Sequence, residues 1–467
     1  MNETAEKKEI FESMPVPQAL RLMAVPMVIS QLIVLIYNMA DTFYVGRTND
    51  PYMVAGISMM LPVFNITISL AGISGVGGGT LISRLLGRGE EQEARKVSVF
   101  SIYLAIALAA VFSVGMLLFM DPLLGLVGAG ENTIAYARHY TFCVLVIGGI
   151  PTVLSNVLSN LIRCVGYSRK ASFGIALGGV LNIALDPLFM FVLLPDGYQV
   201  LGVGIATCIS NCVACAYFLH FLYRGRGQHV ITMNPREGMP QKESIHSVLE
   251  VGIPSSVTIL LFDLDYVVLD RLMVTYGDIP LAAVGIVLKV ERFPLNVGIG
   301  ICQGMVPLVA YNFSSGNHER MDSFIHFARR TGLIVGLASI CVYELFAMQL
   351  MQFFISDAQT VQLGTNFIRA RILATPMMFL CFSMVHVFNA LGDGKRALFL
   401  GVMRWVVINI PMLFVLNALF GMYGLVWSQF VSDSIMAAIS FYVFARYRKL
   451  QGSQMTVAGE GESSRDT

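Results

Sequence analysis

The sequence predicts an all-α integral membrane protein of twelve transmembrane helices, arranged as two pseudo-symmetric halves of six. Three observations predict it. Hydrophobic residues make up 55% of the chain and charged residues 13%, about half the charged share of soluble domains, and mean hydropathy is +0.68. Apolar runs long enough to cross a bilayer recur along the whole chain, and in lipid such runs must be helices. The second half also repeats motifs of the first at a nearly constant offset.

Twelve spans are expected at roughly 17–45, 53–85, 96–120, 133–164, 170–194, 201–223, 246–272, 281–311, 324–356, 361–391, 397–419 and 421–446. Several exceed the ~20 residues a bilayer requires and must tilt or project beyond it. The connections alternate in charge. Arg84, Arg88, Arg95 and Lys96 lie between spans two and three, and Arg163, Arg169 and Lys170 follow span four. Arg224, Arg226, Arg236 and Lys242 follow span six; Arg320, Arg329 and Arg330, then Lys395 and Arg396, then Arg446, Arg448 and Lys449 continue the pattern. The opposite connections hold Asp121, Glu131, Asp196, Asp278 and Asp357. By the positive-inside rule both termini are cytoplasmic, with Arg47, Arg369 and Arg371 against the trend. The opening residues, MNETAEKKEIFESMP, lack the basic-then-apolar form of a cleaved signal peptide, so the first span is expected to stay as an anchor. The expected location is the cell (inner, cytoplasmic) membrane, crossed many times.

The segment 224–245, RGRGQHVITMNPREGMPQKESI, is the one long polar stretch within the spanning region. It divides an N-terminal lobe, 1–223, from a C-terminal lobe, 246–450, and 451–467 reads as a disordered tail. The lobes repeat at an offset of roughly 225–229 residues: Pro26 aligns with Pro254, Asp41 with Asp270, Gly56 with Gly285, Gly89 with Gly316, Pro151 with Pro376 and Asn182 with Asn409. An even number of spans gives both halves one orientation, so the repeat axis runs along the membrane normal.

Within the first span, Pro26 to Gly46, stand Gln31, Tyr37, Asn38 and Asp41. At about 100° per residue, Ser30, Tyr37, Asn38 and Asp41 fall on one stripe. A carboxylate within a bilayer normally faces a bundle interior or a watery cavity, which makes Asp41 a candidate for a translocation site. A structural carboxylate paired with a neighbouring helix is the alternative. Pro26 and Pro254 interrupt equivalent helices, which points to a transporter site or to static kinks. Asn182 and Asp186 in LNIALDP share a face at i, i+4, and Gly178 and Gly179 one turn earlier would admit another helix. Thr207 and Tyr140 offer hydroxyls on spans six and four. With Asp41 these make a polar cluster in the N-terminal half; ordinary helix-to-helix bonding is the alternative for Thr207 and Tyr140. In span seven, Asp263 and Asp270 share a face and Asp265 points nearly the other way, so a network with Lys289 of span eight stands beside an ion site as a reading.

The eight cysteines lie in or at the ends of apolar spans, and Cys212 and Cys215, a CxxC, read as small packing residues. No Walker loop, HExxH or GxSxG is present, so neither an enzyme nor an ATP-driven pump is expected, and no cofactor beyond a coupling ion. Net charge is +1 with no basic cluster, so no nucleic-acid partner is expected.

The stretches PMVISQ, YNMADTFYVG, GRGEEQEARK, NLIRCVGYSRKA, LNIALDPLF, GVGIAT and QGMVPLVAYNFSSGN together resemble the multidrug and toxic compound extrusion (MATE) family of secondary transporters, over nearly all of 10–450. The resemblance implies two six-helix lobes around a V-shaped cavity, in a monomer embedded in the bilayer. It implies export of cationic or amphiphilic organic compounds, driven by an H+ or Na+ gradient through alternating access. Carried over, the N-lobe acidic pair is Asp41 and Asp186, with Tyr37, Tyr140, Asn182 and Thr207 as polar partners and Asp41, Asp186 and Asn182 as the candidate Na+ ligands. Gln31 and Asp263 complete the candidate set. Members with a C-lobe sodium site carry a glutamate in span seven; here the segment reads ILLFDLDYVVLD, so the coupling site is placed in the N lobe. A flippase for a lipid or a lipid-linked oligosaccharide is the alternative, though the chain offers few Arg or Lys to line its cavity.

Overall fold

In the computed structural model the described residues, 3–48, 50–225 and 229–463, form helices and connecting turns, with no strand among them. In chain order the helices are α1 (Glu3–Glu12), α2 (Val16–Gly46), α3 (Pro51–Ser58), α4 (Leu61–Gly87), α5 (Glu91–Leu118), α6 (Met120–Val127), α7 (Ile134–Thr141), α8 (Gly149–Cys164) and α9 (Ser168–Leu188). They continue as α10 (Gln199–Arg224), α11 (Lys242–Met273), α12 (Asp278–Ser314), α13 (His318–Phe354), α14 (Ala358–Ile372), α15 (Thr375–Leu391), α16 (Gly394–Val402), α17 (Ile410–Phe420) and α18 (Met422–Ser463). Among the described residues, 10 helices are long and apolar enough to cross a membrane, or up to 12 when two bent pairs count as spans.

The two bends fall at repeat-equivalent places. Ile134–Ile147 and Gly149–Cys164 meet at 52°, and Ala358–Ile372 and Thr375–Leu391 at 47°. Pro151 and Pro376 lie just past them; proline removes a backbone donor, which lets the chain change direction at that point. π-helical turns at Phe142–Ile147, Phe189–Leu193 and Met403–Asn409 follow Tyr140, follow Asp186 and end at Asn409. Such turns cluster at functional positions in helices.

Two compact units are distinguished. The first holds 1–264, 292–331 and 386–398; the second holds 265–291, 332–385 and 399–467. Their borders cut across the 1–223 and 246–450 halves of the repeat. The first unit is cored by Ile82, Leu85, Ile102, Val157, Leu161 and Phe218, with a separate cluster around Met60, Leu124, Leu145 and Val203. The second is cored by Leu269, Met273, Val287, Met351, Phe367 and Leu425.

The polar linker is pinned within the first unit. Glu93 of α5 accepts from the Gln241 amide at 2.7 Å and from Ser244 at 2.8 Å, and Ser98 and the Thr232 backbone exchange bonds of 3.1 and 3.0 Å. Arg226 of the linker lies outside the described residues. The N-terminal α1 docks by stacking Phe11 on Tyr311 at 4.8 Å, and Arg320 donates to the carbonyls of Phe11 at 2.8 Å and Met14 at 2.6 Å. The segment 451–467, read from its composition as disordered, continues α18 as helix to Ser463; 464–467 lie outside the described residues.

Candidate functional site

The N-terminal half brings six of the eight candidate residues together. Tyr37 and Asp41 stand on α2, Asn182 and Asp186 on α9, Thr207 on α10 and Tyr140 on α7. The approach of α2 to α9 depends on Gly179. A Cβ there would fall 2.9 Å from Ile33 Cγ2 and 3.0 Å from Tyr37 Cδ1, so only a residue without a side chain permits this spacing without displacing α2. A Cβ at Gly178, on the neighbouring face, would fall 3.2 Å from Ala214 Cβ and 3.3 Å from the Ser210 carbonyl oxygen of α10.

The carboxyl groups of Asp41 and Asp186 lie within hydrogen-bonding reach of one another. Asp186 is fully buried, and Asn182, Tyr140 and Thr207 nearly so. The Asn182 amide donates to Asp186 Oδ1 at 3.4 Å and to Thr207 Oγ1 at 3.3 Å. That bond orients the amide oxygen of Asn182 as a free acceptor. Tyr140 stands close to both carboxylates, and Tyr37 to Asp41. Asn38, expected on the same stripe, is exposed and bonds back to the Val34 carbonyl at 2.8 Å.

Three buried oxygens in this group have no hydrogen-bond partner within the chain: Asp41 Oδ1, Asp186 Oδ2 and Asn182 Oδ1. Each such group costs about 1–3 kcal/mol when left unsatisfied. All three are acceptors, and two belong to carboxyl groups that repel each other when both are charged. A proton shared between the carboxyls, or one small monovalent cation among the three oxygens, supplies what is missing. The donor set is oxygen only, which suits Na+ or H+ rather than a transition metal. Among the described residues, no group of three or more His, Cys, Asp or Glu is placed to hold a metal ion.

Gln31 and Asp263 do not join this group. The Gln31 amide donates to Gln303 Oε1 of α12 at 3.1 Å, and the same oxygen accepts from the buried Arg163 at 3.2 Å. Asn160 and the Met27 sulfur are the other partners of Arg163. Asp263 faces Asn65, with the charge of Arg292 nearby. Asp270, the repeat counterpart of Asp41, is exposed.

The second compact unit holds a buried polar network of its own. Asp265 accepts from Asn409 at 2.6 Å, and Arg371 and Arg404 are cations near it. Arg371 grips Glu291 at 2.6 and 3.2 Å. Arg404 grips Asp433 at 2.8 and 3.1 Å and lies 4.4 Å from the Phe382 ring centre and 4.2 Å from that of Trp405. Sequence reasoning passes over Arg404 and Asp433, although a charge inside an apolar span is itself the signal.

The profile of the family described as MatE matches residues 26–188 and again 254–415. The multidrug export protein MepA of Staphylococcus aureus (strain MRSA252) is 30% identical over 440 residues, covering 94% of this chain and 95% of that protein. The protein of the same name from Staphylococcus haemolyticus (strain JCSC1435) is 30% identical over 436 residues, covering 93% and 94%. Among solved structures, a MATE protein in complex with MaL6 superposes with a TM-score of 0.89 at 24% identity, over 95% of this chain and 98% of that one. An outward-facing multidrug resistance MATE family transporter of the MOP superfamily gives 0.88 at 24%, over 95% and 97%.

Proposed function

Because the chain belongs to the MATE family of membrane transporters, we propose that it exports cationic or amphiphilic organic compounds in exchange for a monovalent cation, H+ or Na+, that enters at Asp41 and Asp186. The observation that carries this reading is the set of three unpartnered buried oxygens, Asp41 Oδ1, Asp186 Oδ2 and Asn182 Oδ1, around two carboxyls in mutual reach. The relatives named for multidrug export support the choice of cargo.

The mechanism follows from charge. With the cation absent, the pair holds excess negative charge among buried groups. With the cation present, that charge is neutralised and the oxygens are satisfied. The two occupancies therefore favour different packings of α2 against α9. Pro26, several turns from Asp41, lacks an N–H and gives α2 a place to bend when the packing changes. Coupled to drug release, that bending makes the exchange obligatory. Asn182 holds its oxygen toward the pair through its bonds to Asp186 and Thr207; Tyr37 and Tyr140 flank the pair. The coupling site is complete within one chain, in keeping with a monomer. In this reading the protein sits in the inner membrane with both termini in the cytoplasm, which the basic connections support, and 1–223 and 246–450 are its two lobes.

Purified protein in liposomes loaded with a fluorescent cationic dye tests this. Imposed separately, a pH gradient or a Na+ gradient should drive dye movement. Movement under neither gradient, in correctly inserted protein, rejects the antiport.

A further inference from the structure

Away from the carboxylate group, the first compact unit holds a cavity of about 340 Å³. Leu117, Met120, Phe142 and Leu201 form its apolar walls, and Asp121, Arg138 and His139 supply its polar groups. That size and make-up are those of a small-molecule site, about 300–1,000 Å³ and mostly apolar, with a few polar groups that fix orientation. Two helix breaks meet there. Phe119 separates α5 from α6, and at Phe142 the helix α7 passes into its π turn. Past each break the regular ridges and grooves stop, which leaves the space open. The cavity lies at the end of the bundle that carries the acidic connections of Asp121, Glu131 and Asp196.

Each polar group keeps unused capacity. Arg138 donates to Asp121 Oδ1 at 2.7 Å, and a guanidinium has five N–H donors. The two side chains are 51% and 60% exposed, and ion pairs that open to their surroundings are weak enough to exchange partners. His139 stacks on Tyr198 with ring centres 5.8 Å apart, and its Nδ1 is buried with no hydrogen-bond partner among the described residues. A buried ring nitrogen left so is costly and calls for a partner from outside the chain. Next to the cavity in sequence, Leu118 and Phe119 are well exposed, which in a membrane protein is surface for acyl chains. Tyr198, stacked on His139 and itself half exposed, is of the residue type that marks headgroup level. The cavity thus joins apolar walls to a cation and an anion at the depth where a phospholipid's glycerol meets its headgroup.

We propose that this cavity is a binding site for a zwitterionic phospholipid whose headgroup carries a free ammonium, of the phosphatidylethanolamine type. Arg138 takes the phosphate in a bidentate grip, and His139 donates to it from the tautomer that carries its proton on Nδ1. Asp121 takes the ammonium. Leu117, Met120, Phe142 and Leu201 cover the glycerol and the start of the acyl chains. Phosphatidylglycerol would set a neutral glycerol against Asp121, and a choline headgroup has no N–H to give it. The charged pair therefore discriminates among headgroups that share the same phosphate. The site stands independently of the export reading given above.

The test titrates the lipid-depleted full chain in detergent with phosphatidylethanolamine, phosphatidylglycerol or phosphatidylcholine of identical acyl chains, and reads bound lipid by native mass spectrometry. Wild type should hold phosphatidylethanolamine several-fold more tightly than the other two. Arg138→Gln should weaken all three several-fold, and Asp121→Asn should remove the preference without weakening phosphatidylglycerol. Equal affinity of wild type for the three lipids would overturn the proposal, as would an undiminished affinity for phosphatidylethanolamine in Arg138→Gln. Glycerophosphoethanolamine, which has the headgroup and no acyl chains, should fail to displace the lipid. Displacement at a comparable concentration would assign the site to a soluble phosphate ester and reject a lipid occupant. If loss of either charge unfolds the protein, Leu201→Trp, which fills the cavity and keeps both charges, should abolish the preference for phosphatidylethanolamine; a preference that survives it places the lipid elsewhere and overturns the proposal.

Discussion

Polar side chains within the apolar helices sort into two kinds, the closed and the open. Arg404 and Asp433 are closed: two bonds join them, Gln429 adds a third at 2.7 Å, and both are buried. Removing one partner leaves the other charge buried and bare, which costs about 3–5 kcal/mol. Asp433→Asn should therefore lower the thermal midpoint in detergent by several degrees, and Asp433→Leu with Arg404→Met should lower it less than Asp433→Asn alone. Equal midpoints for wild type and Asp433→Asn would contradict the pairing. Asp41 and Asp186 are open, since each keeps a buried oxygen without a partner. Asn in either place keeps the shape and loses the titration, so Asp41→Asn and Asp186→Asn should each insert and fold but lose gradient-driven efflux. Transport at matched protein content measures it; wild-type efflux by both variants would move the coupling site elsewhere.

Helices hold these groups in place through local features of two kinds, close packing and capping. Gly179 sets how near α2 comes to α9. Gly179→Leu should push Tyr37 and Asp41 away from Asn182 and Asp186 and reduce export severely while the protein still reaches the membrane. Gly179→Ala, whose methyl would sit 2.9 Å from Ile33 Cγ2, should reduce it less. Export by Gly179→Leu at the wild-type rate would show that the approach of the helices is not required. At the start of α14, outside the spans, Asp357 caps the helix by accepting from the Thr360 amide at 2.8 Å and its hydroxyl at 2.7 Å. Those bonds favour the charged form and hold its carboxyl below the ordinary carboxylate range. The sign follows: the cap's contribution is complete above the unfolded carboxylate's range, about 3.9, and fades as pH falls through the lower folded value. Asp357→Asn should remove that acid-side dependence of the melting midpoint and leave the neutral side nearly flat.

At the scale of the whole molecule, the distribution of basic residues predicts topology. A cysteine placed at Asp196 should react with an impermeant reagent from outside intact cells, and one at Lys395 only from inside. The opposite result would put both termini outside the cell. Two of the cations that break the charge pattern have acidic partners in the fold. Arg371 is buried and gripped by Glu291, and Arg369 pairs with Glu344 at 3.3 Å. The family profile matches once in each half, in keeping with the internal repeat read from the prolines and glycines.

The one-dimensional pattern determined a great deal. Apolar runs dictate helices because a bilayer offers the backbone no other partners, so the all-helical class followed from hydropathy alone. Periodicity put Asn182 and Asp186 on one face, and a carboxylate in an apolar span singled out Asp41. The same reasoning could not place Gln31, which lies about 15 Å along α2 from Asp41 and on another face, where it meets Gln303. Nor could it pair Asp265 with Asn409, or Arg404 with Asp433, because those partners are far apart in sequence. The bends beside Pro151 and Pro376 and the pinning of the linker by Glu93 are likewise decided by tertiary structure. Hydropathy and helical period are properties each segment carries by itself. Which buried oxygen finds a donor, and which is left without one, depends on the neighbour that packing brings to it.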